Sequence, residues 1–161
     1  MRRATRLALV CINFDGFKEI NDRFGHQAGD EVLVRVTHEL STVIRRNEMF
    51  FRLGSDEFAI LVPHAKRESV QRLAQRIIDK TSVCKFTFAE QPVQITFSLG
   101  LAFAPDHASD SEGLIYAADR AMQRAKSEGR NRWHAAESNS WNPVDTHSSN
   151  VMPDLFAGEQ E

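Results

Sequence analysis

Residues 48–63 read EMFFRLGSDEFAILVP, two short apolar runs on either side of Gly54, Ser55 and Asp56. Such runs around a short polar segment that contains glycine predict a β-hairpin. We therefore expect one strand over 48–53 and a second over 57–62, with Pro63 closing the pair. The tip of this hairpin carries the adjacent acidic residues Asp56 and Glu57.

The segments on either side of the hairpin predict a buried strand and three helices. Residues 7–14 are continuously apolar, which is typical of a strand buried on both faces. Apolar residues spaced by three and four predict amphipathic helices. The predicted helices cover 31–45, 67–83 and a stretch from a cap at Ser109 or Asp110 to Gly129, and further strands are predicted at 85–88, 93–104 and 131–135. The polar stretch with Gly25 and Gly29 is interpreted as a loop.

This order of elements predicts an α+β fold, a sheet with helices packed over its faces. After Ala136 the sequence is rich in Ser, Asn, Pro and acidic residues and shows no periodicity. We therefore predict one domain over residues 1–136 and a disordered tail or linker over residues 137–161.

Composition excludes several classes of function. The 161 residues are 42% hydrophobic and 26% charged, with a net charge of −2 and a pI near 6.3. That charge argues against a nucleic-acid binder, which carries a strongly basic surface. No apolar run approaches the roughly 20 residues that cross a bilayer, so we expect no membrane partner and a cytoplasmic location.

Three polar clusters could meet when the sheet assembles. Asn13, Phe14 and Asp15 end the first strand, Asp56 and Glu57 lie at the hairpin tip, and Lys126 and Arg130 lie four residues apart near a helix end. Carboxylate and carbonyl oxygens suit Mg²⁺, and two cations on one face suit a polyphosphate. Taken singly, each cluster is equally well explained as a solvated turn or as cations that favour a helix C-terminus.

Taken together, the clusters carry a resemblance. The stretches 15–22 (DGFKEIND) and 24–30 (FGHQAGD) resemble the signature D-x-D-x-F-K-x-I-N-D-x-x-G-H-x-x-G-D, and 52–58 (RLGSDEF) resembles R-x-G-G-D-E-F. Residues 96–100 resemble the strand T-x-S-x-G, and 118–132 resemble A-D-x-A-L-Y-x-A-K-x-x-G-R-N-R. The four blocks occur in order across residues 7–133. The chain is identified as a member of the GGDEF domain family of diguanylate cyclases, in a degenerate GSDEF form.

The resemblance implies a palm fold similar to nucleotidyl cyclases and polymerases, ferredoxin-like, with a central antiparallel sheet and helices around it. It also implies cyclic di-GMP signalling, in which two GTP molecules held by two facing protomers are condensed with the help of Mg²⁺ or Mn²⁺. The implied catalytic residues are Asp56 and Glu57. The implied metal ligands are Asp56, the carbonyl of Phe14 and, weakly, Asn13. The implied substrate-binding residues are Asn21 and Asp30 for guanine, Gly54 and Ser55 against the nucleotide, and Lys18, Lys126 and Arg130 for the phosphates.

Several positions depart from the family pattern. Asn13 replaces an aspartate that ligates metal, so one negative charge is lost and weaker metal binding is expected. Ser55 replaces a glycine and adds a side chain beside the nucleotide. The family's product-inhibition motif R-x-x-D is represented by Arg45 and Glu48, which a basic helix end and a polar turn explain as well. The family's opening helix has no counterpart before the first strand.

Three functions remain open at this point. The domain could bind GTP or cyclic di-GMP and regulate a partner, with Asn13 and Ser55 in favour. It could be an active cyclase working as a homodimer, with Asp56, Glu57, Lys126 and Arg130 in favour. It could be a dimerising remnant, which the retained base- and phosphate-binding residues argue against. The resemblance also implies an EAL or sensor domain as partner.

Overall fold

The computed structural model describes residues 6–138. Within this range the strands are β1 (Leu7–Asp15), β2 (Met49–Arg52), β3 (Glu57–Pro63), β4 (Lys85–Phe88), β5 (Gln91–Gln94), β6 (Thr96–Ala104) and β7 (Arg132–Ala135). The helices are α1 (Phe17–Phe24), α2 (His26–Ser41), α3 (Arg67–Ser82) and α4 (Ser111–Ser127). None of these helices is long and apolar enough to span a bilayer.

The main sheet has the strand order β2-β3-β1-β6-β7. The predicted hairpin is confirmed, since β2 and β3 pair antiparallel with Arg52 opposite Phe58. The central strand β1 is antiparallel to both β3 and β6. The α+β class is confirmed, but the sheet is mixed, because β7 runs parallel to β6. Helix α4 connects these two strands, and such a crossover returns the chain in the same direction.

The strand β1 is buried on both faces, as its continuous apolar run predicts. Ala8, Val10, Ile12 and Phe14 belong to the core formed with α1, α2 and α3, whereas Leu9 and Cys11 belong to the core under α4. Because side chains alternate along a strand, Asn13 and Asp15 point to the α4 side. The end of β1 therefore presents polar groups on the face that α4 covers.

The stretch with Gly25 and Gly29 is helical, so its prediction as a loop was wrong. Helix α1 forms because Phe17 and Ile20 are buried on one side of it. Gly25, with φ 86°, interrupts the helical conformation and separates α1 from α2. Gly29 lies inside α2, where a side chain would clash with Asn21 of α1. Close packing of the two helices, and not a loop, explains this glycine.

Three predicted boundaries also differ from the structure. Helix α2 ends at Ser41, so Arg45 lies in the loop before β2 rather than at a helix end. The turn predicted at 90–92 is formed by Ala89 and Glu90, both with positive φ, and the predicted strand 93–104 is divided into β5 and β6. Residues 139–161 of the predicted tail lie outside the described residues. Glu137, which also belongs to the predicted tail, is described, and its carboxylate pairs with Arg124 at 2.7 Å.

Candidate functional site

A cavity of about 560 Å³ lies at the end of β1. Four parts of the chain line it: the end of β1 with the first turns of α1, the hairpin tip, strand β5, and the segment at the C-terminal end of α4. The predicted site residues that it brings together are Asn13, Phe14, Lys18, Asp56, Lys126 and Arg130. The three polar clusters of the sequence therefore lie around one cavity.

Backbone bonds hold Asp56 against the end of β1. The amide of Phe14 donates to the carbonyl of Asp56 at 2.8 Å. The turn itself is closed by Arg52, whose guanidinium donates to the carbonyls of Gly54 at 3.0 Å and of Ser55 at 3.1 Å. Gly54 and Ser55 are exposed in this turn, beside the cavity rather than in its lining. Arg52 thus makes the hairpin tip a rigid support for the Asp56 carboxylate.

The carboxylate of Asp15 is occupied by hydrogen bonds. It accepts from Thr96 Oγ1 and Ser98 Oγ, each at 2.8 Å, and from the backbone amide of Asn131 at 3.3 Å. These bonds tie the end of β1 to β6 and to the segment after α4. Asp15 also lines the cavity, and these bonds make it a structural acceptor there.

The three positions that the family resemblance assigns to metal fit a hard divalent cation with one carboxylate among them, and the Glu19 carboxylate of α1 also lines the cavity. Asn13 supplies an amide oxygen, Phe14 a backbone carbonyl and Asp56 a carboxylate, and all three residues line the same cavity. Oxygen ligands of this kind are those Mg²⁺ prefers. Across residues 6–138 no three His, Cys, Asp or Glu side chains form a metal-binding group. The donor set suits a magnesium site of reduced charge.

Glu57 faces a different cavity from its neighbour Asp56. Successive residues of a strand point to opposite sides, and Glu57 lines an apolar cavity of about 690 Å³ between the β2–β3 hairpin and α4. Asp119 of α4 lines the same cavity. Burial raises the pKa of Glu57, the carboxylates of Asp56 and Asp119 raise it further, and Lys126 opposes them. The two predicted catalytic acids therefore occupy different environments.

Asp119 is a residue of this region to which the sequence analysis gave no role. Burial raises the pKa of its carboxyl, against a hydrogen bond from Gln123 and the charge of Lys126. Asp119 and Lys126 lie about two turns apart on α4, so they share one face of the helix. This spacing was the sequence signal that could have identified Asp119.

We expect Asp119→Asn to stabilise the protein at pH 7 but not in acid. A carboxyl whose pKa is raised in the folded state binds more protons than in the unfolded state, so stability falls as pH rises through that range. The gain from the amide should therefore be present above the raised pKa and disappear below the ordinary value of 3.8. Urea unfolding of both proteins at pH 7 and at about pH 3.5 measures it. An equal difference in unfolding free energy at the two pH values would contradict the argument.

The predicted guanine-binding residues lie outside both cavities, where α1 meets α2. Asn21 belongs to α1, and its side-chain oxygen is buried without a hydrogen-bond partner in the described part of the chain. Asp30 is exposed on α2. An unsatisfied buried acceptor calls for an explanation. A ligand that donates hydrogen bonds to this position would supply one.

Arg45 and Glu48 form a closed turn at the end of β2 that is remote from the hairpin tip. The carboxylate of Glu48 accepts from the backbone amide of Arg45 at 2.7 Å. The amide of Glu48 donates in return to the carbonyl of Arg45 at 3.0 Å. These bonds support the interpretation of this pair as a polar turn.

Comparison with known proteins agrees with this architecture. The family model described as the diguanylate cyclase GGDEF domain matches residues 1–132. Diguanylate cyclase DgcP of Pseudomonas aeruginosa is 38% identical over 131 residues, covering 81% of this chain and 19% of the relative. Diguanylate cyclase DosC of Escherichia coli K12 is 37% identical over 139 residues, covering 84% of this chain and 30% of the relative. The chain thus spans less than a third of the length of each of these relatives.

Solved structures give the same result. The GGDEF domain of YfiN (TpbB) from P. aeruginosa superposes with a TM-score of 0.77 at 37% identity, covering 84% of each chain. The GGDEF domain of DgcB from Caulobacter crescentus, in complex with cyclic di-GMP, gives 0.77 at 30% identity, covering 83% of this chain and 80% of that one. With the family model matching most of the chain, this protein belongs to the GGDEF family of cyclic di-GMP signalling.

Proposed function

We propose that this domain binds GTP, or cyclic di-GMP, as a regulatory GGDEF domain whose metal binding is weakened. The observation that carries the proposal is the meeting of Lys18, Lys126 and Arg130 with Asp56 around one cavity, which Arg23, Asp15 and Glu19 also line. The four cations of the lining exceed its three carboxylates, of which Asp15 is already occupied by hydrogen bonds, so the lining favours a polyanion such as a triphosphate. The missing charge at Asn13 weakens the same site for a dication.

The base would lie between α1 and α2. Guanine presents N–H donors as well as carbonyl and ring-nitrogen acceptors. The buried oxygen of Asn21 has no partner in the described structure and could accept one of these donors. The Asp30 carboxylate on the facing helix could accept another. Separate base and phosphate sites of this kind would distinguish GTP from other triphosphates.

A second candidate is an active diguanylate cyclase that works as a homodimer with Mg²⁺ or Mn²⁺. It is favoured by the presence of Asp56, Lys126 and Arg130 in one cavity. A bound metal would supply Lewis-acid stabilisation of the reacting phosphate. Asp56 would hold that ion, and Lys126 and Arg130 would orient the triphosphate. Glu57 would act from the opposite face of β3.

The wider setting is part of the proposal. We propose a cytoplasmic domain whose partner is an EAL or sensor domain, because the chain matches only part of its relatives. The domain boundaries at 1–136 and 137–161 are proposed from the change in composition after Ala136. A weak cyclic di-GMP site at Arg45 and Glu48 is proposed on the family pattern alone.

Lys126→Ala is expected to weaken GTP binding about 10- to 100-fold, the value of one charge-assisted phosphate contact. Arg124→Ala is the matched control, since it removes the same charge from the same helix at a residue that pairs with Glu128 and Glu137. Calorimetric titration with GTP measures both. If the two variants bind GTP equally well, the proposed phosphate site is wrong.

A further inference from the structure

The segment that carries Arg130 has an unusual backbone. Gly129, Arg130 and Asn131 follow one another with φ values of 119°, 62° and 47°. Asparagine tolerates the left-handed region, whereas for Arg130 this conformation costs roughly 1–2 kcal/mol. Such a conformation persists only where surrounding contacts fix it. The contacts that do so determine where the Arg130 guanidinium lies.

Besides the bond from the Gly129 amide to the carbonyl of Lys126 at 3.3 Å, three hydrogen bonds fix this turn. The amide of Arg130 donates to the carbonyl of Ala125 at 2.9 Å, which ends helix α4. The guanidinium of Arg132 donates to the carbonyl of Arg130 at 3.0 Å. The amide of Asn131 donates to the carboxylate of Asp15 at 3.3 Å. The first two bonds are local, whereas the third joins the turn to the end of β1.

Asp15 is itself held firmly. Its second oxygen accepts from Ser98, which is fully buried, and the oxygen that meets Asn131 also accepts from Thr96. Both hydroxyls belong to β6, the strand beside β1. The carboxylate is therefore a fixed acceptor between the metal-binding end of β1 and the turn that bears a phosphate-binding cation.

We infer that Asp15 is a positioning residue, which holds the Arg130–Asn131 turn so that the Arg130 guanidinium projects into the nucleotide cavity. Arg130 lines this cavity although it lies beyond the end of α4. The inference concerns a residue for which the family resemblance implied no role. It rests on the proposed function, because it assigns to Asp15 an effect on phosphate binding through Arg130.

The test is a double-mutant cycle with GTP and GMP as probes. Arg130→Ala is expected to weaken GTP binding about 10- to 100-fold. Asp15→Ala should weaken it about 3- to 30-fold and, in the Arg130→Ala background, by less than about twofold, because the guanidinium it positions is then gone. GMP, which lacks the outer phosphates, should lose much less than GTP. A purely structural role would weaken both nucleotides alike and add to Arg130→Ala, which would overturn the inference.

Two variants separate positioning from general damage. Ser98→Ala removes a bond to the other Asp15 oxygen and should leave GTP affinity within about twofold of native. Asp15→Asn keeps an oxygen that can face Asn131 and should restore most of the affinity. If Asp15→Ala does not fold, Asp15→Ser replaces it, since its shorter side chain does not reach Asn131.

A measurement without nucleotide keeps the inference independent of the proposed function. Hydrogen exchange at the Asn131 amide should be about tenfold or more faster in Asp15→Ala than in the native protein and unchanged in Ser98→Ala. Unchanged exchange in Asp15→Ala would overturn the inference. If exchange accelerates but Arg130→Ala binds GTP normally, the turn is held by Asp15 and the proposed phosphate site is the part that fails.

Discussion

Asn13→Asp is expected to lower the Mg²⁺ concentration required for metal-dependent GTP binding by about 10- to 100-fold. The amide and the carboxylate have the same shape, so the change adds one negative charge at a fixed position. A unit charge about 4 Å from another contributes about 4 kcal/mol at an effective dielectric constant of 20, and desolvation removes part of this. If the rest of the site is sound, conversion of GTP to cyclic di-GMP should rise above background as well.

The same substitution should destabilise the protein when metal is removed. Asn13 is 5% exposed and lies opposite Glu57 in the β1–β3 register. A carboxylate there would be buried beside another, which raises the pKa of one of them and costs stability at neutral pH. Urea unfolding in EDTA and in Mg²⁺ should therefore show a loss that Mg²⁺ restores. Asn47→Asp, which adds a charge in the loop before β2, is the matched control, and an identical Mg²⁺ response in both variants would contradict the metal assignment.

Asp56→Ala is expected to have the opposite effect on the metal dependence of GTP binding. It removes the one carboxylate of the proposed ligand set, so the dependence of GTP binding on Mg²⁺ should disappear, and any cyclase activity should fall by at least about 100-fold. In EDTA, by contrast, GTP should bind several-fold more tightly. A carboxylate about 6 Å from a phosphate at an effective dielectric constant of about 40 repels each unit of charge by roughly 1.4 kcal/mol, and the variant relieves this.

The sign of the EDTA result separates two explanations of lost activity. General damage to the hairpin would weaken GTP binding under all conditions, whereas loss of a ligand strengthens binding without metal. Asp22→Ala, at an exposed position of α1 outside the cavity lining, is the control for a lost carboxylate. If Asp56→Ala retains the native Mg²⁺ response, Asp56 is not a metal ligand.

The hairpin and the central strand could be predicted because their signals are local. The two apolar runs around Gly54–Asp56 are typical of a β-hairpin, and the uninterrupted apolar run of β1 is typical of a strand buried on both faces. Helix α1 and the first residues of α2, 26–30, were missed for a tertiary reason. Gly29 was interpreted as a helix breaker, whereas it lies where α2 approaches Asn21 too closely for a side chain.

The candidate site could be predicted as a set of residues but not as a geometry. The family motifs identified Asp56, Lys126 and Arg130, and all three line one cavity. The division of Asp56 and Glu57 between two cavities depends on strand alternation and on the position of α4, which only the assembled sheet fixes. Arg130 was expected at the helix end on one face with Lys126, whereas α4 ends at Ser127 and a left-handed turn carries this residue. The bond from Asn131 to Asp15 joins residues far apart in sequence and has no local signature.

The measurement that tests the central claim most directly is a calorimetric titration of the native protein with GTP, in Mg²⁺ and in EDTA, followed by chromatography of the mixture. A nucleotide-binding domain with a one-carboxylate metal site predicts saturable binding in both conditions, a Mg²⁺ effect below about tenfold, and no cyclic di-GMP. Formation of cyclic di-GMP in Mg²⁺ would contradict the regulatory account and establish the cyclase. Absence of GTP binding in both conditions would contradict the assignment of this cavity as a nucleotide site.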